Sequence, residues 1–222
     1  MEQLALRLLF LALILLGGAA AYQFFRGRRR NLELMRFAVQ VMERVLRPRD
    51  KEYTLIGLYV GFAAKLEIGR GGVDRFEATV ALFPRQSLFY IPIAKLTSRF
   101  DRIYMFFRLS QGVPREAHLV RKGYYRLGYR RVIRDVEGMG VEDVEVRGVR
   151  YHLVYEPGGR SEAEKLLEFA RSLTNPGVLN HVALVPSTRS VYIAARLDPA
   201  FLEEVLRIGF SLARAVAGGG GC

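Results

Sequence analysis

The sequence predicts an α+β protein carried on a single N-terminal transmembrane helix, with an antiparallel sheet and helices packed on one of its faces. Three observations lead to this prediction. The chain opens with a long apolar stretch, several later segments alternate apolar and polar residues, and amphipathic helical patterns stand before and after those segments. Strands that are grouped together, rather than alternating one by one with helices, are typical of the α+β class.

The anchor is predicted from the apolar stretch, which runs from about Leu4 to Phe25. A helix of that length rises about 33 Å, enough to cross a hydrocarbon core of about 30 Å. Four basic side chains follow directly, at Arg26, Arg28, Arg29 and Arg30. Because basic residues next to a span stay in the cytoplasm, we predict a single-pass cell-membrane protein with its N-terminus outside and its C-terminal domain cytoplasmic.

Two alternatives to an anchor stay open. Ala19, Ala20 and Ala21 fit the small-residue pattern of a signal-peptide cleavage site, although the arginines after them would then have to cross the membrane. The other alternative is a buried helix of a soluble protein. It is disfavoured because the stretch has no polar face to present to water.

Composition also sets the domain organisation. The single cysteine, Cys222, is the last residue, so no disulfide can form within the chain, as expected in a reducing cytoplasm. A sub-boundary near residues 157–160 is the one candidate break, because proline and two glycines stand together there. The predicted parts are an anchor with its basic stop, a cytoplasmic α+β domain and a flexible tail: residues 1–30, residues 31–217 and residues 218–222.

Three helices are predicted in the domain. The first begins at Asn31, as its cap, and ends before Pro48. The second begins with a capping box formed by Ser161 and Glu164, and the third is capped by Asp198. The third helix has a continuous apolar stripe, made of Leu202, Val205, Leu206, Gly209, Leu212, Ala213 and Val216.

The strands are predicted from alternation with a period of two. The clearest pair covers residues 58–68 and 76–82, joined by a glycine-rich turn at 69–72, and forms an antiparallel hairpin. One or two helical turns are expected over residues 92–98. Further strands are expected over residues 87–91, 103–109, 117–122, 143–147, 149–156, 178–185 and 191–196.

Positive charge is concentrated in one central block. Residues 85–134 carry 12 basic and 2 acidic side chains, whereas residues 135–222 carry 9 and 12. No carboxylate occurs from Ala117 to Arg134. The centre of the block interleaves cations with tyrosines, and we predict it to be a binding surface for an anionic partner: Arg121, Lys122, Tyr124, Tyr125, Arg126, Arg130 and Arg131.

Four interpretations of this block stay open. Membrane lipids of an anionic leaflet would contribute about 1 kcal/mol per nearby basic residue. An acidic protein partner would be steered and oriented by the charge. Nucleic acid is less favoured, because no RNA-binding signature is present. The last interpretation is that the arginines pair within the fold with the acidic residues of 135–222.

No motif identifies a reaction, a metal or a cofactor. The three histidines are far apart in sequence, and no two have the spacing of metal ligands on one element. His152 is expected on the solvated side of its strand. His118 is expected among cations, which would lower its affinity for a proton.

The sequence thus leads to three hypotheses of function. The first is a non-enzymatic, membrane-tethered binding or scaffolding module whose basic surface meets anionic lipid or an acidic partner. The second is an accessory subunit of a membrane protein complex. The third is an enzyme acting on a phosphorylated or lipid substrate, and a pocket joining Arg121, Lys122 and His118 would favour it.

Overall fold

The fold is α+β, with three long helices and a nine-stranded antiparallel sheet. A computed structural model describes residues 2–87, 90–91, 100–133 and 136–218. The helices are α1 (Glu2–Leu46), α2 (Arg160–Ser172) and α3 (Leu202–Gly218). The strands are β1 (Asp50–Leu55), β2 (Gly61–Arg70), β3 (Val73–Ala81), β4 (Arg102–Leu109), β5 (Ala117–Arg121), β6 (Gly140–Val146), β7 (Val149–Tyr155), β8 (Leu179–Val185) and β9 (Ser190–Arg196).

Some sequence expectations fall outside the described residues. The helical turns over 92–98 do so entirely, and the short strand over 87–91 does so in part. Of the tail, only Gly218 is described, and it is the last residue of α3 rather than the first of a flexible segment.

All neighbouring strands in the sheet are antiparallel, in the order β1-β2-β3-β4-β9-β8-β5-β7-β6. The last two strands of the chain, β8 and β9, lie between β4 and β5. Strands from both sides of the Pro157–Gly159 break therefore belong to one sheet. The predicted hairpins at 58–82 and 143–156 are present, with turns at Gly71–Gly72 and Arg147–Gly148.

The three helices pack on the same face of the sheet, as predicted. There α2 contacts β5, β7 and β8, while α3 contacts β3, β4 and β9 and also packs against α1. The predicted apolar stripe of α3 is buried along its whole length. The core between the two layers includes fully buried side chains such as Met42, Leu66, Phe76, Phe107 and Leu153.

Helix α1 runs unbroken for 45 residues, about 68 Å at 1.5 Å per residue. The prediction that Asn31 caps a separate helix is therefore wrong. Asn31 lies in the middle of α1, fully buried, with its side-chain amide bonded to two loops. Within the described residues α1 is the one helix long and apolar enough to cross a membrane, and its most apolar part is unburied.

The predicted capping box of α2 is also wrong. The helix begins at Arg160 with Gly159 as its cap, and no side chain caps it. Asp198, in contrast, accepts a hydrogen bond from the backbone N–H of Ala200 in the turn that leads into α3, as a cap would.

Helix α1 lies along the strands and leaves the sheet at one end. Asn31 Nδ2 donates to the carbonyl oxygen of Tyr59 just before β2, at 2.8 Å. At the opposite end of β2, Arg70 Nη2 donates to the carbonyl oxygen of Leu46, at 2.7 Å. Residues 2–19 of α1 are all exposed and project beyond the end where β2 begins. We call this the proximal end of the sheet.

Candidate functional site

Part of the sheet face opposite the helices, at β5 and β7, is covered by the described residues between β5 and β6, 122–133 and 136–139, which we call the cover segment. Its apolar side chains, among them Tyr125, Tyr129 and Ile133, pack on Val120 and Val154 of the sheet. The cover segment contains six of the seven residues predicted as the centre of the basic block. The fold thus divides this block into an inner side and an outer side.

The two tyrosines predicted to bind a partner point toward the sheet. Tyr125 donates or accepts a hydrogen bond with Nδ1 of His181, at 2.9 Å, and the ring of Tyr124 stacks edge-on against that of Tyr125. Burial raises the pKa of Tyr125 to about 12. Both rings are half-buried within the fold, so a role as an open stacking platform has no geometric support.

The predicted cations separate into two groups. Arg126, Arg130 and Arg131 are exposed along the cover segment, beyond the sheet. Arg121 and Lys122 instead lie where β5 ends, at the proximal end of the sheet. That the seven residues act together as one binding surface stays a prediction.

Internal ion pairs hold at least three described cations of the basic block, and one of these pairs reaches the acidic third of the chain. Lys122 pairs with Asp143, at 2.6 Å. Arg85 and Arg108 also form ion pairs, but their partners are Asp101 and Glu77, which precede that third.

A cavity of about 310 Å³ at the proximal end brings four cations together. They come from the start of β4, the end of β5 and the end of β9. Two aromatic rings, Phe100 and Tyr124, complete the wall with small and polar residues. The four cationic side chains are those of Arg102, Arg121, Lys122 and Arg196.

Each cation in the cavity is held by a specific contact. Arg121 Nη1 donates to the carbonyl oxygen of Gly177, at 2.9 Å. The guanidinium of Arg102 lies over the ring of Tyr124, and that of Arg196 lies over the ring of Phe100. These contacts position Arg102 and Arg121 without neutralising them, whereas Lys122 is paired with Asp143.

Arg102 and Arg196 are directly opposite each other in the β4–β9 pair. Residues in that position project from the same face of the sheet, and two like charges there destabilise it. Arg196 has Asp198 at 3.3 Å as a partial counter-charge. Arg102 and Arg121 have no ion pair with any other residue that the structure describes. Guanidinium groups arranged in this way are suited to bind phosphate or carboxylate.

The sequence predicted Arg121, Lys122 and Tyr124 as site residues and placed Arg102 in the same basic block, but nothing in it linked Arg196 to them. Arg102 and Arg196 each stand at the end of a predicted strand, and strand ends that meet at one sheet edge bring side chains together. The two arginines are far apart in sequence, so only the pairing of β4 with β9 shows that they are neighbours.

A buried chain of hydrogen bonds lies beneath the cover segment. Glu116 Oε1 is 2.8 Å from Nε2 of His118, and Nδ1 of His118 is 3.2 Å from Nε2 of His181. The other ring nitrogen of His181 meets the hydroxyl of Tyr125. The expectation that His118 lies among cations is wrong, because its ring lies between a carboxylate and a second imidazole. His152 is half-exposed beside Asp143.

One arrangement of protons satisfies the whole chain with both imidazoles neutral. Ionised Glu116 can only accept, so His118 donates from Nε2 and accepts at Nδ1. His181 then donates a hydrogen bond from Nε2 to His118 and accepts one at Nδ1 from the Tyr125 hydroxyl. The four groups form a line rather than a cage, and no cluster in the described residues is suited to hold a metal ion.

The site hypothesised for an enzyme is divided by the fold. The cavity contains Arg121 and Lys122, but His118 does not line it. His118 belongs to the buried chain under the cover segment, and none of the four residues of that chain lines the cationic cavity. The juxtaposition that would have favoured chemistry on a phosphorylated substrate is therefore not formed.

The buried position of His181 makes the stability of the fold depend on pH. Burial, and then the neighbouring His118, hold the pKa of His181 well below its usual 6.5. The unfolded chain therefore binds a proton that the folded chain does not, so this contribution is complete above pH 6.5 and is lost as the pH falls. We expect stability to fall as the pH drops below about 6.5, by at most about 1.4 kcal/mol per pH unit for this one group.

Thermal unfolding at a series of pH values measures this effect. His181→Gln keeps a donor and an acceptor at the position but cannot titrate. The variant should lose the dependence between about pH 6.5 and 5. An equal slope in the variant would assign the dependence to other groups.

Comparison with known proteins adds no assignment. No family model matches the chain, and no curated protein resembles it in sequence. The interpretation of the site therefore depends on its geometry and charge alone.

Proposed function

We propose that this chain is a single-pass protein of the cell membrane whose cytoplasmic domain binds anionic lipid headgroups in the cavity at its proximal end. The support for the anchor is the unburied apolar part of α1, followed by four arginines that favour the cytoplasmic side for the domain. The function is one of binding or scaffolding at the membrane.

The single observation that carries the proposal is that the cavity and the apolar part of α1 lie at the same end of the sheet. Gln23 and Asn31 of α1 bond to the loop around Arg85, which forms an ion pair with Asp101. Phe100, the residue directly before Asp101, lines the cavity. With residues 4–25 in a bilayer, the four cations of the cavity would face the headgroups.

Electrostatics favours a lipid partner in this position. A basic residue close to an anionic leaflet contributes about 1 kcal/mol, and the attraction falls off within a Debye length of about 8 Å. Lipid phosphate would also relieve the like-charge contact between Arg102 and Arg196. Arg130 on the cover segment instead lines a different cavity with Val141, near the end of β6 that is opposite the proximal end, and would contribute less.

The test is lipid selectivity of the full-length protein in bilayers that contain spin-labelled phosphatidylserine or phosphatidylcholine. We expect Arg102→Gln with Arg196→Gln to lower the preference for phosphatidylserine by about tenfold or more, since two cations near the leaflet contribute about 2 kcal/mol. The same variant should keep or raise the unfolding temperature, because it removes a like-charge pair.

The matched control is Arg130→Gln with Arg131→Gln, which removes the same charge from the cover segment. We expect it to change the preference less than about threefold. An equal effect of both variants would indicate a diffuse surface charge instead of a site. If neither variant changes the lipid preference, the lipid proposal is overturned. The arginines would then serve an acidic protein partner or an accessory role in a membrane complex.

A further inference from the structure

We propose that the turn between β1 and β2, residues 55–59, enters the membrane interface and is a second point of contact with the bilayer. The proposal rests on the membrane anchor of the proposed function, but not on the cationic cavity. Three large apolar side chains stand exposed in this short turn. Leu55 is 66% exposed, Ile56 is 42% exposed and Leu58 is 66% exposed.

The turn is fixed at the level where α1 would leave the bilayer. The carbonyl oxygen of Tyr59 accepts a hydrogen bond from Asn31 Nδ2, at 2.8 Å, and the guanidinium of Arg28 lies 4.4 Å from the centre of the Tyr59 ring. Arg28 is three residues after Phe25, the last apolar residue of the span. These contacts place Tyr59 beside residues 28–31 of α1, about 5 to 9 Å along the helix axis from the apolar stretch.

The backbone of the turn holds these side chains outward. Gly57 and Tyr59 both have positive φ, at 61° and 59°, so the chain reverses within a few residues. Ile56 N donates to the carbonyl oxygen of Gly61, and Gln86 Nε2 donates to that of Leu58, at 2.6 Å. With both ends tied, the turn cannot fold its leucines back onto the core.

Neighbouring groups suit an interface of headgroups and acyl chains. No carboxylate occurs in the sequence from Tyr53 to Leu66, and the guanidinium of Arg28 stands beside the turn. Leu55 also lines an apolar groove of about 370 Å³, and residues of α1 between Leu32 and Gln40 form another wall of that groove. Apolar side chains with cations next to them are typical of segments that lie at a membrane surface.

Spin labels on the full-length protein in bilayers test the proposal. In a Cys222→Ser background, single cysteines replace Leu58 in the turn, Leu127 on the cover segment and Leu15 in the apolar stretch. The three leucines are similarly exposed, at 66%, 70% and 65%. We expect the Leu15 and Leu58 labels to collide with oxygen several-fold more often, relative to a water-soluble nickel chelate, than the Leu127 label.

The outcomes separate the turn from the anchor. A Leu58 label that behaves like the Leu127 label, with Leu15 in the bilayer, would overturn the turn proposal and leave the anchor standing. A Leu15 label in water would overturn both. A Leu58 label that is immobilised and shielded from both reagents would show that a protein subunit, and not lipid, covers the turn, which also overturns the proposal.

Discussion

Replacing Gly27 by valine is expected to lower the stability of the folded domain by roughly 3 kcal/mol, because the residue is the closest point between α1 and the loop at residues 83–87. A Cβ atom on Gly27 would fall far inside van der Waals contact with the carbonyl group of Arg85 and lie 2.5 Å from the backbone nitrogen of Gln86. Both obstacles are backbone atoms, so the helix or the loop must move as a whole.

Such a movement would separate several hydrogen bonds that join α1 to the domain. Gln23 Nε2 donates to the carbonyl oxygen of Arg85, at 2.8 Å, and Asn31 Nδ2 donates to that of Phe83, at 3.0 Å. For a chain of this size the expected decrease in the unfolding temperature is about 6–12 °C. Thermal unfolding of the full-length protein in detergent, followed by circular dichroism, measures it.

Gly18→Val is the matched control for this prediction. Gly18 belongs to the same helix, but a Cβ atom built on it would meet nothing within 4 Å. The control should unfold at the temperature of the parent protein. If the two variants unfold at the same temperature, the close contact at Gly27 does not determine the position of α1.

The sequence predicts the regular part of this fold because alternation and helical periodicity report directly which side of an element is buried. In β2, β3 and β4 the predicted apolar positions are the buried ones, for example Leu66, Phe76 and Phe107. The buried positions of the domain part of α1, such as Met35 and Met42, also follow the predicted face. Burial on one face is a local property, so a local pattern can reveal it.

Strand β1 was missed because it has no such pattern. It is an edge strand with five of its six residues exposed and only Tyr53 half-buried. Charged residues such as Lys51 and Glu52 are typical of edge strands, where they discourage pairing with another chain. Hydrophobic periodicity cannot detect a strand that buries almost nothing, and its pairing with β2 defines it instead.

Asn31 was misassigned for a different physical reason. Asparagine before an apolar helical pattern usually caps a helix, since its side chain bonds to free backbone N–H groups. Here the amide bonds to carbonyl groups of two loops that are distant in sequence, and α1 continues through it. The local preference is outweighed by tertiary hydrogen bonds, which a single sequence does not show.

The candidate site was predicted only in part because it depends on strand order. Arg121 and Lys122 stand out by charge, but their neighbours in the cavity come from β4 and β9. The contact of His118 with His181 likewise needs β5 beside β8, across 63 residues of sequence. Charge and composition identify candidates, and the non-local pairing of strands decides which of them meet.

Asp101→Ala is expected to have the largest effect of any single substitution considered, a loss of about 3–5 kcal/mol, because it leaves the guanidinium of Arg85 without its partner in a mostly buried position. The pair is bidentate, with nitrogen–oxygen distances of 2.6 Å and 2.9 Å. The Asp101 side chain is 11% exposed and that of Arg85 is 23% exposed. Asp101 also accepts the backbone N–H of Phe83, at 2.7 Å.

Two variants distinguish the charge from the other contacts of Asp101. Asp101→Asn keeps an acceptor for the Phe83 N–H but removes the negative charge, so we expect an intermediate loss of stability. Glu67→Ala breaks a comparably short ion pair with Arg75 on the surface, where both partners are 47% exposed, and should change the unfolding temperature little. Equal effects at Asp101 and Glu67 would show that burial does not strengthen the Arg85–Asp101 pair.

Asp101→Ala should also affect the cationic cavity, so the Arg85–Asp101 pair would link the stability of the fold to lipid binding. Arg196 lines the cavity, and its guanidinium is stacked on Phe100, the residue before Asp101. If the Arg85–Asp101 pair holds this part of the chain in place, Asp101→Ala should weaken the preference for phosphatidylserine although it removes no cation. An unchanged lipid preference, measured below the unfolding temperature of the variant, would show that the cavity keeps its shape without the pair.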